Sequence, residues 1–352
     1  MTTSNVPSET APGAACKAKP ELDSTQLLYP HTQADLDAAF QKLAATLLDK
    51  SRDAAGPDAW PSPKILILAG AQGSGKTYLL ENRLLPSGRY ANYVRLYLPS
   101  YRELHPAYEQ LRNKSVLHIY QQTERFIWDL GRMLMTYALD NRYNIIMETA
   151  LDSAEFVQFP PIAIGLKYQF EVHIIACQKE FSHWATLDRG VKSVAKREFD
   201  RFLSLSKLEC SQGNARAILD AFEDACLART GSSITMYHRG FETDMESQVL
   251  CHSRCENPES LVPHPDYNGA PFANVPHLDR TFSIERNPKA NFPCSYLQYA
   301  EVVHAGMIAK ETRQRMVQAC CSTLQRAQAQ MPNIPIEAFR ELSLYVLKYI
   351  YP

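Results

Sequence analysis

The chain is 352 residues long, 45% hydrophobic and 21% charged, with a formal net charge of -1. That length builds one large domain or two ordinary ones, and this composition excludes wholesale disorder. Near-neutral charge excludes a global attraction to nucleic acid or anionic membrane, and no apolar run approaches the ~18 residues of a membrane span, so neither is an expected partner.

Residues 1–24 are rich in Ser, Thr, Pro and Ala and lack an apolar h-region, so a disordered leader without a cleavable signal peptide is expected. The compartment this implies is the cytoplasm, or a host cell reached by secretion. Residues 25–60 read as an N-terminal helical segment. Ser24 and Thr25 offer helix-start signals. Leu36, Phe40, Leu43 and Leu47 then recur at helical spacing, which predicts an amphipathic helix over Thr32–Lys50. Its apolar face serves the chain's own core in the simpler reading, or a protein partner in the other.

Lys64–Ala69 (KILILA) reads as a buried parallel strand, followed by a helix over YLLENRLL. Further strands are predicted at Val94–Leu98, Tyr143–Met147 and Phe170–Cys177, and a last one at Ser233–Tyr237. Helices are predicted at Ser115–Leu139 and Ser211–Arg229. Strands alternating with helices predict an α/β fold with a doubly wound parallel sheet over residues 61–242. Residues 243–352 read as a loop-rich and helical extension, with helices at Tyr296–Gln330 and Ile336–Tyr349. Nine scattered cysteines favour a reducing compartment. Cys251, His252 and Cys255 resemble half a metal site without its second half, so ordinary loop thiols are expected there.

Gly70-Ala71-Gln72-Gly73-Ser74-Gly75-Lys76-Thr77 matches G-x-x-x-x-G-K-[ST] between a strand and a helix. Glycines let backbone amides turn inward around phosphate oxygens, and the following helix brings its positive end to the same point. Lys76 is placed to reach the terminal phosphates of ATP, and the Thr77 hydroxyl to ligate Mg²⁺. The strand YNIIMET ends in one carboxylate, Glu148, which faces bound substrate or Mg²⁺, or else is a solvated strand-end charge. No N-K-x-D guanine signature accompanies the loop. Tyr97, Tyr101, Tyr108 and Tyr120 fall near the expected acceptor side, as packing residues or as stacking platforms.

These segments together resemble the zeta toxin family of P-loop kinases. The resemblance covers roughly residues 64–242: the loop, His105–Leu111 (HPAYEQL), YNIIMET, Val172–Gly190 and Ile234–Gly240 (ITMYHRG). It implies a kinase that phosphorylates a hydroxyl of a nucleotide-linked metabolite such as UDP-N-acetylglucosamine. It implies a substrate-contacting role for Glu148 and a phosphate-stabilising role for Arg189, with Arg201 or Arg197 as a second arginine. Two positions depart from the pattern. The family's catalytic Asp, six residues before His-Pro, is Pro99 here, and Ala150 replaces a family Thr. Glu103 is the nearest acid in the same loop and takes the base role in this reading, with Glu148 next. The leader and the C-terminal extension also resemble plant-pathogen effectors, zeta-like kinases that phosphorylate NAD on its adenosine ribose. The resemblance implies a protein antitoxin or chaperone as a partner. The alternative is a catalytically impaired relative that binds nucleotide and acts through a protein.

Overall fold

A computed structural model describes residues 29–50, 62–96, 98–112, 122–196, 202–241, 247–272, 294–305 and 308–350. The expected leader, Ser24, Thr25, Tyr97, Tyr120 and the first turns of the helix expected at 115–139 lie outside these residues.

Seven strands form one sheet, in the order β2-β3-β1-β4-β5-β6-β7. They are β1 (Lys64–Ala69), β2 (Tyr93–Leu96), β3 (Asn144–Thr149), β4 (Gln169–Cys177), β5 (Ser233–Arg239), β6 (Gln248–Asn257) and β7 (Ser260–His264). The first five pair in parallel. The central β1 is buried on both faces, which is why it reads as an uninterrupted apolar run. Its alternate residues feed two cores. Ile65, Ile67 and Ala69 face one core, and Leu66 and Leu68 the other.

The expectation that β5 is the last strand is corrected. β6 and β7 continue the sheet as an antiparallel hairpin, across the boundary expected at 242/243. They form because β5 still has a free edge, which pairing satisfies. Cys251 and Cys255 therefore sit on a strand and not in a loop. Cys251 is joined to Cys294 as a disulfide with Cα atoms 6.0 Å apart, against the expectation of ordinary thiols.

The first core lies beneath α1 (Gln33–Leu47), α4 (Glu124–Asp140), α5 (Glu155–Gly165), α8 (Ala215–Leu227) and α9 (Tyr296–Val303). Between α1 and α4 come α2 (Lys76–Leu79) and α3 (Tyr108–Arg112). A capping box starts α1. The Asp35 amide donates to Thr32 Oγ1, and the Thr32 amide donates to Asp35 Oδ2 at 2.7 Å. Leu36 and Ala39 of this helix are buried in the chain's own core, and Phe40 packs edge-on against Tyr137 with ring centres 5.5 Å apart. The simpler reading of α1 therefore holds.

On the second face lies α2, which continues as a wider turn over Leu80–Leu84 and a tight turn at Leu85–Ser87. Two helices join it in the connection after β4: α6 (Lys179–Lys196) and α7 (Leu205–Ser211). The C-terminal α10 (Lys310–Ala329) and α11 (Ile336–Tyr349) share a separate core cluster with α6. Predicted helix 296–330 is thus two helices, and 336–349 is one.

A polar chain runs along the second face from half-buried Glu171 to buried His173 and Tyr237. Glu171 accepts from the Tyr90 hydroxyl at 2.6 Å and from His173 Nε2 at 3.2 Å. A carboxylate only accepts, so His173 Nδ1 is left to accept from Tyr237, 2.8 Å away. Burial pushes the Glu171 carboxyl up, but His173, then Tyr90 and Arg89, outweigh it and hold it at about 2. A depressed carboxylate stabilises the fold above its unfolded value near 4.5, and that contribution is lost as pH falls through about 2. Glu171→Gln is expected to cost on the order of 3 kcal/mol at pH 7. The difference from wild type, read by denaturant unfolding, should narrow between pH 4.5 and 2. A pH-independent difference would disprove this account.

Candidate nucleotide-binding site

The site begins where β1 ends. The Gly70 amide donates to the Thr149 carbonyl of β3 at 3.2 Å, and the Ser74 amide to Ala71 at 3.1 Å. Gly73 and Gly75 have φ of +78° and +95°, a region that L residues enter only with strain. At Gly73 there is also no room: a Cβ would lie 2.2 Å from the Ser182 carbonyl oxygen in the first turn of α6. The Leu79 amide donates back to Gly75 at 3.0 Å, so the helix starts as soon as the loop closes.

Three side chains follow the loop's curve. Lys76 Nζ donates to the carbonyls of Gly70 and Ala71 at 2.8 and 2.9 Å, which folds the ammonium back over the loop. The Thr77 hydroxyl donates to Glu148 Oε2 at 3.0 Å. Glu148 reaches it because β3 lies directly beside β1, with Leu68 opposite Glu148. The other oxygen of Glu148 accepts from Arg95 on β2 at 3.3 Å, and Arg95 also pairs with Glu81. Glu148 is therefore pinned between the loop and a cation.

Buried polar atoms without partners mark what the loop is built to hold. Ser74 Oγ and Arg239 Nε, both able to donate, are buried and unbonded. Such atoms are costly unless a ligand satisfies them. A polyphosphate fits this cradle. Thr77 and Glu148 offer a hard-oxygen pair suited to Mg²⁺, which takes few protein ligands and fills its shell with phosphate and water. Among the described residues no cluster of three His, Cys, Asp or Glu fits a metal by itself, the Cys251–Cys255 segment included.

The remaining expected residues divide. Thr186, one turn beyond Ser182, has its methyl 3.2 Å from the position a Gly73 Cβ would take. Arg189 follows at the next turn, on the same helical face, and is exposed. Arg201 and Arg197 lie outside the described residues. Glu103 stands exposed on the turn Leu98–Leu104 and makes no hydrogen bond to the loop. Tyr101 is buried and donates to the Arg95 carbonyl at 3.0 Å, and Tyr108 is buried as well, so both pack. Two further residues lie at the loop: Arg95, which has no sequence signal, and Arg239, the arginine of the ITMYHRG block. Arg239 Nη1 donates to the Gly73 carbonyl.

The sheet order, the glycine loop and the carboxylate on the neighbouring strand define a P-loop phosphate-binding protein with a kinase-like fold. A sequence profile of the zeta toxin family matches residues 47–249, and the chain belongs to that family. Two solved structures share the fold. One is from the PezAT chromosomal toxin-antitoxin system of Streptococcus pneumoniae, with 16% identity, a TM-score of 0.55, and coverage of 86% of this chain and 99% of that one. The other is AvrRxo1-ORF1:-ORF2 with ATP, with 12% identity, a TM-score of 0.50, and coverage of 89% and 86%. No curated protein matches the chain. No helix among the described residues is long and apolar enough to cross a membrane.

Gly88 offers an internal control for the loop, because its φ is +73° and a Cβ there meets nothing within 4 Å. Gly88→Ala is expected to cost about 1 kcal/mol, for backbone strain alone. Gly73→Ala carries the same strain plus collision with an immovable carbonyl, and is expected to cost at least ~3 kcal/mol. Chemical unfolding compares the two, and equal losses would show that the close approach to Ser182 is not a constraint.

Proposed function

We propose that the chain is an ATP-dependent kinase that transfers the γ-phosphoryl group to a hydroxyl of a nucleotide-linked metabolite. The acceptor is a UDP-N-acetylglucosamine-like sugar or the adenosine ribose of NAD. The observation that carries this reading is the loop itself, with the Ser74 hydroxyl on it unbonded and the Thr77–Glu148 pair at its side. Family membership supports it, as does the fold shared with a structure that holds ATP.

Phosphoryl transfer needs alignment and charge neutralisation more than covalent help. Backbone amides of Gly70–Thr77 bind the phosphates. Lys76 leaves its two carbonyls and turns to the terminal phosphate oxygens. Thr77 and Glu148 would hold Mg²⁺, which would supply charge neutralisation for the phosphates. Glu148, kept by Arg95, also meets the acceptor. Arg189, with Arg201, neutralises the migrating group, for which a planar and permanently charged guanidinium is suited. Glu103 takes the proton from the acceptor hydroxyl, and its exposure leaves it open to an incoming substrate.

The second reading is a nucleotide-binding relative with impaired catalysis that acts through a protein partner. Pro99 in place of the family Asp favours it. Under either reading the protein acts as a toxin or a secreted effector. Its partners include an antitoxin or chaperone, since both structural neighbours come from toxin-antitoxin or ORF1:ORF2 complexes.

Incubation with γ-labelled ATP, Mg²⁺ and a panel of acceptors including NAD and UDP-N-acetylglucosamine tests the proposal. Transfer is expected, and Lys76→Met should lower it by about 100- to 1,000-fold. Glu103→Gln should lower turnover while ATP affinity is unchanged. Binding of ATP with no transfer to any acceptor would replace the first reading by the second. A Glu103→Gln enzyme with full turnover would pass the base role to Glu148.

A further inference from the structure

Arg239 ends β5 and is 3% exposed. Its Nη1 donates to the Gly73 carbonyl, and its stem lies over Gly75, with Cδ 3.4 Å from the position of a Cβ there. Its Nε is buried and has no acceptor. Among the described residues no carboxylate is within ion-pair distance of it. Glu180, a buried acid of α6, is paired with Lys348 at 3.3 Å. More exposed arginines carry acids of their own: half-buried Arg95 has Glu81 and Glu148, and exposed Arg326 has Asp188.

A guanidinium stays charged at any working pH, so it cannot relieve burial by losing a proton. A charge taken from water without a counter-charge is strongly unfavourable. It persists in a fold where a ligand supplies the missing charge. The one feature beside Arg239 that is built for an anion is the loop spanning Gly73 and Gly75.

We propose that Arg239 is a nucleotide-binding residue: it braces the outer wall of the loop through Gly73, and the bound polyphosphate supplies its counter-charge. Two consequences distinguish this from a structural role. The empty protein gains little from the charge. The nucleotide gains more, because its phosphates sit across the loop from a desolvated positive charge that no protein acid cancels. The inference rests on the nucleotide-binding reading above, and its test separates the two.

ATP affinity by calorimetry and the melting temperature with and without ATP are measured for wild type, Arg239→Met and Arg239→Lys. Arg239→Met should melt at or above the wild-type temperature when empty, weaken ATP by about 10- to 100-fold, and lose most of the ATP-induced rise in melting temperature. Arg239→Lys should fall between, since it keeps the charge and loses the planar fork. A methionine variant that binds ATP as wild type does overturns the proposal. So does one that fails to fold or melts well below wild type when empty, because the charge would then be holding the fold itself. If wild type binds no ATP, the nucleotide-binding reading fails first, and this inference with it.

Discussion

The loop works because two backbones touch where only a hydrogen atom fits. The Ser182 carbonyl fills the space where Gly73 would carry a Cβ. That contact joins the end of β1 to the start of α6, and it leaves the loop no alternative path. Everything chemically useful follows from the position it fixes. Lys76 and Thr77 open the next helix at a set angle. Glu148 arrives from the neighbouring strand at hydrogen-bonding distance, and Arg239 arrives from β5 on the outer side.

Charge at the loop is arranged asymmetrically. The inner side carries Thr77 and Glu148, with Arg95 behind them and Glu81 behind Arg95. That is a neutralised chain, and it holds Glu148 without needing a ligand. The outer side carries Arg239 with no acid facing it among the described residues. Lys76 lies between, with its ammonium on carbonyls of its own loop. Carbonyls are weaker partners than phosphate oxygens, so the lysine is kept ordered and remains available. Such a loop is pre-organised for an anion and strained by its lack, which is how binding energy becomes selective for a polyphosphate.

Much of this was legible in the sequence, for reasons that also explain what was not. KILILA and Ile336–Tyr349 were read to the residue, because a doubly buried strand and a one-faced helix each leave a clear pattern. The glycine loop was legible because its spacing is dictated by its ligand. The hairpin β6–β7 was missed because its residues are half-buried with little alternation and are interrupted by His, Asn and Pro. Its existence depends on the open edge of β5, which no local pattern reports. Arg95 and Arg239 were missed for a related cause. Each owes its place to pairing between strands that are distant in sequence. Glu103 was named by proximity along the chain, and it stands exposed on the turn Leu98–Leu104.

The C-terminal helices have a physical role in this arrangement. Helix α6 carries exposed Arg189, yet most of its other positions are buried, polar ones included. Asp188 takes Thr323 at 2.9 Å and Arg326 from α10, with Lys192 at 2.6 Å from its own helix. His183 donates to the Leu203 carbonyl at 2.7 Å and accepts from Tyr345 of α11 at 2.6 Å, and burial lowers its tendency to take a proton. These bonds fix the rotation of α6 about its own axis, which apolar contacts alone leave loose. A helix turned by one residue, about 100°, would carry Arg189 to a different side. The extension therefore helps set the orientation of the helix that packs against Gly73, and the sheet alone would not keep it.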